Sequence, residues 1–458
     1  MTEAHAPISV EATQSTLVLR EGDEGYEEAR RIHNGMIDKR PALIYRCRTD
    51  RDVAAAIETA RREGLELSVR GGGHNVAGRA VTDGGVMIDL SSMKRIEVDP
   101  DARTVRAEPG LNWGEFNAAT QAHGLGVTGG TISTTGIAGL TLGGGLGWLM
   151  GKFGLATDNL RSARVVTASG DVLTANATEN PDLYWGIRGG GGNFGVVTEF
   201  EYALYPVGPT ITGGFVFYDY DHAADVVRLF RDVSAGLSDD MSLVLGLIRN
   251  PEPPHQLLAG IIVCHVGPEE QAERDVAALR SIGEPVVDAI VRKSYCDVNA
   301  QFDFGFPNRA LNYWKSSFLQ GLPEEAIAQM VADFAEAPSR MTVLLIEDLH
   351  GQATRVPVEA TAVPHRRQGF NLLIPSVWWD PAETDANVEW TRRAFDNLRP
   401  FLAEGRYVNY LDDDEAQRGP DPVRAAYGPN YERLVEVKSQ YDPENIFRLN
   451  FNIPPRSA

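Results

Sequence analysis

The sequence predicts an α+β protein with more than one domain, and three observations carry that expectation. A chain of 458 residues that is 43% hydrophobic can build more than one buried core. Helical stretches and short strands are interspersed along its whole length. Glycine, 46 residues in all, clusters in the first 200 positions and thins out beyond Pro206-Val-Gly-Pro209, where a domain boundary is expected.

Taken in order, residues 26–65 carry helical patterning, clearest from Asp50 to Gly64, with Asp50 as the expected N-cap and Gly64 as the residue after the helix. A strand from Glu66 to Val69 then runs into Arg70-Gly-Gly-Gly-His74. Alternation from Val86 to Ala107 predicts strands, two of them joined by the turn Asp99-Pro-Asp-Ala. Trp113 to His123 reads as an amphipathic helix stopped by Gly124. Ten glycines fall in the 24 residues from Gly124 to Gly147, mixed with Thr, Ser, Leu and Ile, which is the composition of packed backbone and not of a flexible linker.

Strands resume at Ala163 and Val172, and a third cluster, Arg188-Gly-Gly-Gly-Gly-Asn-Phe-Gly195, precedes the β-patterned Val196 to Tyr202. Beyond the boundary, helices at 221–236 and 323–335 alternate with strands at 241–247, 258–265 and 341–349. Tyr407-Val-Asn-Tyr410, the acidic run Asp412 to Glu415, a helix at 431–441 and the segment Asp442 to Asn452 follow. No repeat of fixed period is visible.

Composition excludes several classes. The net charge is −20 with no basic tract, so neither nucleic acid nor an anionic membrane is an expected partner. No apolar run is long enough for a membrane span or a signal peptide in the polar, acidic residues 1–31, and a cytoplasmic location is expected. The three cysteines, Cys47, Cys264 and Cys296, are scattered, and no metal-site spacing occurs.

A run of residues without Cβ lets backbone N–H groups converge on an anion and lets a flat ligand approach the main chain, so a diphosphate is the natural guest of the Arg70 to His74 loop. A lone Gly-Gly-Gly is more often a tight turn, but three clusters weaken that reading. Gly190-x-Gly-x-x-Gly195 satisfies the dinucleotide fingerprint, yet a strand follows it where that fingerprint needs a helix N-terminus. The phosphate-loop pattern Gly-Lys-Ser/Thr is absent. His74 closes the first loop, and a neutral imidazole there could attack an electrophilic cofactor carbon.

These loops, together with Gly129 to Gly147, Gly154 to Asn159, Leu183 to Val197 and Tyr441 to Asn452, resemble the berberine bridge enzyme-like branch of the vanillyl-alcohol oxidase flavoproteins. The resemblance implies a PCMH-type FAD-binding domain of two α+β subdomains (1–205), a substrate domain with an antiparallel sheet covered by helices (206–405), and a C-terminal segment (406–458) returning to the flavin. It implies FAD held by Arg70, Gly71, Gly72, Gly73, His74, Asn75 and Gly78. From the second cluster Gly129, Gly130, Thr134, Gly136, Gly139, Gly143 and Gly144 would join them, and from later segments Gly195, Val197, Asn450 and Asn452.

His74 would carry the flavin 8α-methyl as a covalent histidyl link. The cysteine that gives many relatives a second tether is matched by Ile132, so His74 is expected to be the only bond. The position associated with oxygen access falls near Thr135. The implied function is an oxidase that takes a hydride from a small-molecule C–H (alcohol, sugar, amine or polyketide) and passes electrons to O₂, forming H₂O₂. A flavin dehydrogenase using another acceptor, a nicotinamide-dependent dehydrogenase and a non-catalytic binding protein are the alternatives.

Tyr410, by its match to the family's Tyr-x-Asn-Tyr segment, is the first candidate base and Tyr407 the second. A phenol needs help to act as a base at neutral pH, and a buried core tyrosine is an equally good reading. Extended backbone would place the two tyrosines on opposite faces. Glu347 and Asp348 follow an apolar strand and could face the pocket, but they rank lower because acidic strand ends are more often solvated, and His350 and His365 rank with them.

Overall fold

The computed structural model describes residues 17–412, 414 and 422–456. Part of the expected polar N-terminus, and Asp413 and Glu415 of the acidic run, lie outside them. The chain is α+β as expected, with three main sheets.

The first sheet runs in the order Leu17–Leu19, Leu43–Arg46, Val86–Asp89, Leu67–Arg70, and its three inner pairings include two parallel ones. Its helix, Asp50–Glu63, is capped by Thr49 and not by Asp50. The Thr49 hydroxyl accepts from the Asp52 N–H at 3.3 Å while the Asp52 carboxylate accepts from the Thr49 N–H at 3.0 Å. Gly64, at φ +65°, ends it as expected. The helical patterning over 26–65 needs correction: only Tyr26–Ala29 and Asp50–Glu63 are helical, and Leu43–Arg46 is a strand. Leu43, Ile44 and Tyr45 are all fully buried, the continuous apolar run of a covered parallel strand, which periodicity cannot separate from a buried helix.

The second sheet is antiparallel, in the order Ile96–Asp99, Thr104–Ala107, Val196–Ala203, Leu160–Val166, Val172–Asn176. Ile96–Asp99 and Thr104–Ala107 form the expected hairpin. Val196–Ala203, straight after Gly195, is the centre of this sheet, so no helix opens at the third glycine cluster.

The third sheet has eight strands. Seven lie in the order Val287–Asp288, Ile211–Asp219, Leu257–His265, Met241–Arg249, Leu344–Leu349, Gly369–Trp378, Leu311–Leu319, and Val291–Lys293 pairs on Ile211–Asp219. Helices Ala223–Ser234, Glu324–Ala335 and Thr384–Asn397 cover one face, packing Val227, Phe230, Ile327, Met330, Phe334 and Trp390 on Leu245, Leu247, Ile261 and Ile346. The other face looks back at the first two sheets. Period-two alternation then decides which side chains reach the interior: Val244, Leu345 and Glu347 point away from the helices, and Leu245 and Ile346 toward them. Among the described residues no helix is long and apolar enough to cross a membrane.

Candidate active site

One cavity of about 560 Å³ is bounded by the glycine loops on one side and by the open face of the eight-stranded sheet on the other. Of the expected residues, Gly71 to Asn75, Gly130, Gly136 and Gly139 form its wall, with Gly195, Val197, Tyr410 and Asn450. The first two clusters cross each other. A Cβ on Gly72 would lie 2.4 Å from the Gly136 Cα, so each glycine is required by the other's backbone. Gly139 differs: a Cβ there would meet no protein atom within 4 Å. Open space beside bare backbone is what a flat ligand lying on the main chain needs.

The remaining expected residues stand behind the wall. The Arg70 guanidinium turns away, donating to the Ala29 carbonyl at 2.6 Å near Asp89. Gly78, at φ +72°, packs on Ile37, and Gly129 lies under Trp113. Gly143 faces Asn409, and Gly144, at φ +119°, faces Val363 and Tyr407. Thr134 Oγ1 is 3.0 Å from His74 Nε2, and the buried Asn452 Oδ1 has no hydrogen-bond partner.

The C-terminal segment is stitched to these loops. Asn450 Nδ2 donates to the Gly192 carbonyl at 2.9 Å and Arg79 to the Leu449 carbonyl at 3.0 Å. Lys438, fully buried, donates to the carbonyls of Asn193 and Phe447 and to Asp442. Sequence reasoning missed Arg79, Asn193 and Asn409 on the wall. Asn409 lay inside the quoted Tyr-Val-Asn-Tyr segment, and Arg79 lay five residues beyond His74.

Tyr407 and Tyr410 meet, contrary to the extended-chain expectation. Val408–Tyr410 is a 3₁₀ turn, in which residues three apart eclipse, and the two rings pack edge to face with centroids 4.9 Å apart. Their roles divide. The Tyr407 hydroxyl accepts from the N–H groups of Gly145 (2.9 Å) and Leu146 (3.2 Å), which anchors the second glycine cluster; burial pushes its phenol up to about 12. Tyr410 lines the cavity and donates to Glu347 Oε1 at 3.1 Å. Burial, then the neighbouring Glu347 charge, holds the Tyr410 phenol well above its ordinary value.

Glu347 is 4% exposed, not solvated as a strand end was expected to be. Burial pushes its carboxyl up to about 7, opposed by hydrogen bonds from Asn371 and Tyr410. Asn371 sits directly across the ladder from Glu347 and donates to Oε2 at 2.8 Å. A carboxylate poised near neutrality beside a phenol that cannot ionise alone can accept a proton relayed through that phenol. Asp348 is also buried but pairs with His350 at 2.7 Å, away from the cavity, and His365 is held by the Ala426 carbonyl.

A glycine cradle with room beside its backbone, joined to a buried acid–phenol pair, defines a redox enzyme that holds a large flat cofactor on its main chain. Residues 41–176 match the FAD binding domain family model, and residues 406–454 match the berberine and berberine-like model. (R)-6-hydroxynicotine oxidase of Paenarthrobacter nicotinovorans is 32% identical over 99% of this chain and 98% of its own length. The crystal structure of 6-hydroxy-D-nicotine oxidase from Arthrobacter nicotinovorans superposes with a TM-score of 0.88 at 30% identity, covering 99% of this chain and all of the other. A BBE-like protein of Physcomitrella patens shares the fold, with a TM-score of 0.86 at 23% identity over 97% of this chain and 98% of its own. The chain belongs to the berberine bridge enzyme-like family of FAD-linked oxidoreductases, and it is an enzyme.

Proposed function

We propose that this chain is an FAD-linked oxidase with its flavin attached through His74 alone, dividing into FAD-binding (1–205), substrate (206–405) and returning (406–458) parts. The observation that carries the reading is a single cavity bearing His74 at the glycine loops and the Glu347–Tyr410 pair on the facing sheet. When bound, the flavin supplies hydride acceptance from a substrate C–H and delivery of the electrons to O₂, with release of H₂O₂.

The protein supplies the rest. Gly71 to Asn75, Gly136 and Gly139 give backbone against which the cofactor lies, and Asn450 and Arg79 close the returning segment over it. Tyr410 takes the substrate proton at its hydroxyl oxygen as its own proton passes to Glu347 Oε1, and Asn371 holds that carboxylate in place. Ile132 presents hydrocarbon to the cavity, and no cysteine lines it, which supports a single covalent bond. Thr135 also lines it, beside the space O₂ would use. The three unpaired cysteines are at home in the expected cytoplasmic setting.

The test is an anaerobic screen of sugars, secondary alcohols, cyclic amines and aromatic polyketides for bleaching of the bound flavin, followed by admission of air. Fast return of colour with stoichiometric H₂O₂ is expected. Bleaching that air does not reverse would favour a dehydrogenase, and no bleaching by any class would favour a binding protein.

A further inference from the structure

We propose that the substrate is a flat, largely apolar molecule with an anionic group remote from the carbon that is oxidised, and that Arg340 receives that group. This rests on the oxidase reading above, which makes Glu347 and Tyr410 the reacting end.

The sheet face that forms the substrate side of the cavity is hydrocarbon. Val244, Ile262, Leu345 and Leu373 surround Glu347 by strand register, since Ile262 lies across from Val244, Val244 from Glu347, and Leu345 from Leu373. Aromatic rings close the sides. Trp314 packs edge to face on Tyr410, with centroids 6.2 Å apart, and on Phe306 at 5.7 Å, and Phe304 stands 62% exposed on the same wall. A sugar would bury its hydroxyls against this surface with few partners, and each unsatisfied group would weaken its binding. A flat apolar molecule loses nothing there.

Charge on the cavity wall is arranged by position. Among the described residues Glu347 is its only carboxylate, whereas His255 and Arg340 line the end away from Glu347 along the strands. In a chain of net charge −20, Arg340 stands out for what it does not touch among the described residues. Arg340 has no ion pair among the described residues, whereas alternation turns the Arg249 side chain with Leu245 and Leu247 toward the helices, where it acts on Tyr220 and reaches the His255 carbonyl from Nη1 at 3.5 Å. His255 has Nδ1 3.1 Å from the Asn250 carbonyl. A cationic amine would meet the Arg340 guanidinium before reaching Glu347, whereas a carboxylate, phosphate or ionised phenol would gain charge-assisted hydrogen bonds from it.

Strand geometry sets the length. Glu347 to Val343 is roughly 13 Å at ~3.3 Å per residue, and Arg340 lies three residues beyond. The anion therefore lies farther from the reacting carbon than a single ring reaches.

The experiment uses the flavin-loaded enzyme, Arg340→Gln, Arg249→Gln and the double variant, titrated with 1-pyrenebutyrate and with neutral 1-pyrenebutanol. Binding is read as perturbation of the flavin absorbance at two salt concentrations. The acid is expected to bind at least about tenfold more tightly than the alcohol at low salt, with the advantage lost in Arg340→Gln and the double variant and alcohol binding unchanged. Arg249→Gln is expected to keep the preference; equal binding of the two probes, binding of neither, or a preference that survives in Arg340→Gln would overturn the proposal. Because binding is read without turnover, failure of the oxidase reading appears separately, as retained acid preference with no substrate able to bleach the flavin.

Discussion

The imidazole of His33 lies flat against that of His74, with ring centroids 3.9 Å apart and planes 18° from parallel. The other side of the arrangement is Thr134, whose hydroxyl meets His74 Nε2. Burial pulls His33 down to about 4, and burial together with the neighbouring His33 pulls His74 well below the ordinary histidine value. Both rings are therefore neutral at pH 7. In the tautomer in which Nε2–H donates to the Thr134 hydroxyl, a neutral His74 would keep the Nδ1 lone pair for bond formation.

His74→Ala is expected to release all FAD on acid denaturation, whereas Cys→Ser at positions 47, 264 and 296 together retains it. Fluorescence of the protein band on a denaturing gel measures both. Covalent flavin remaining in His74→Ala would exclude this residue as the attachment point.

His33→Ala removes the stacking partner without changing His74. Time courses of covalent incorporation into apoprotein are expected to slow relative to the parent, and His33→Phe, which keeps a flat ring, should recover most of the rate. Equal rates in all three would assign His33 to packing alone.

Tyr410→Phe and Glu347→Gln are each expected to slow anaerobic flavin reduction by at least roughly 10²-fold, leaving covalent loading and reoxidation unchanged. Because the two act as one relay, the double variant should fall little below the slower single variant. Reduction within a few-fold of the parent in Tyr410→Phe would remove it from proton transfer.

The pH dependence follows from the raised Glu347 carboxyl. Only its ionised form accepts a proton, so reduction should be slow in acid, rise through an apparent pKa near 7 and level off above it. Glu347→Gln should flatten that limb. A parent profile with no inflection between pH 6 and 8 would contradict the assignment.

Two glycine substitutions separate fold from cofactor. Gly72→Val places a β-branched side chain into the Gly136 backbone and should lower both thermal stability and FAD loading. Gly139→Val meets no protein atom within 4 Å at its Cβ, so it should leave the apoprotein's melting temperature nearly unchanged and still reduce loading. Full loading in Gly139→Val would mean the cofactor does not pass there.

Local signals in the sequence were read well where they were self-contained. The stop at Gly64, the Ile96–Asp99 hairpin, the strand after Gly195 and the helix Tyr431–Tyr441 all depend on neighbours in the chain. The strand Leu43–Arg46 was hidden because burial on both faces erases alternation. The place of Glu347 was hidden for the opposite reason. Glu347 and Asp348 are adjacent, and only the pairing of their strand with Met241–Arg249 and Gly369–Trp378 decides which one faces the cavity. Likewise Tyr407 and Tyr410 share a side only because the chain tightens into a 3₁₀ turn there.

The stitching of Lys438, Leu449 and Asn450 to loops some 250 to 370 residues earlier has a consequence for how the enzyme is made. A ribosome emits the glycine loops and His74 long before residues 438–453, which close over them. Until those last segments leave the exit tunnel, the cradle lacks one wall. Flavin capture is thus a late event in biogenesis, and a polypeptide cut short before residue 438 should accumulate colourless even when its three sheets have formed.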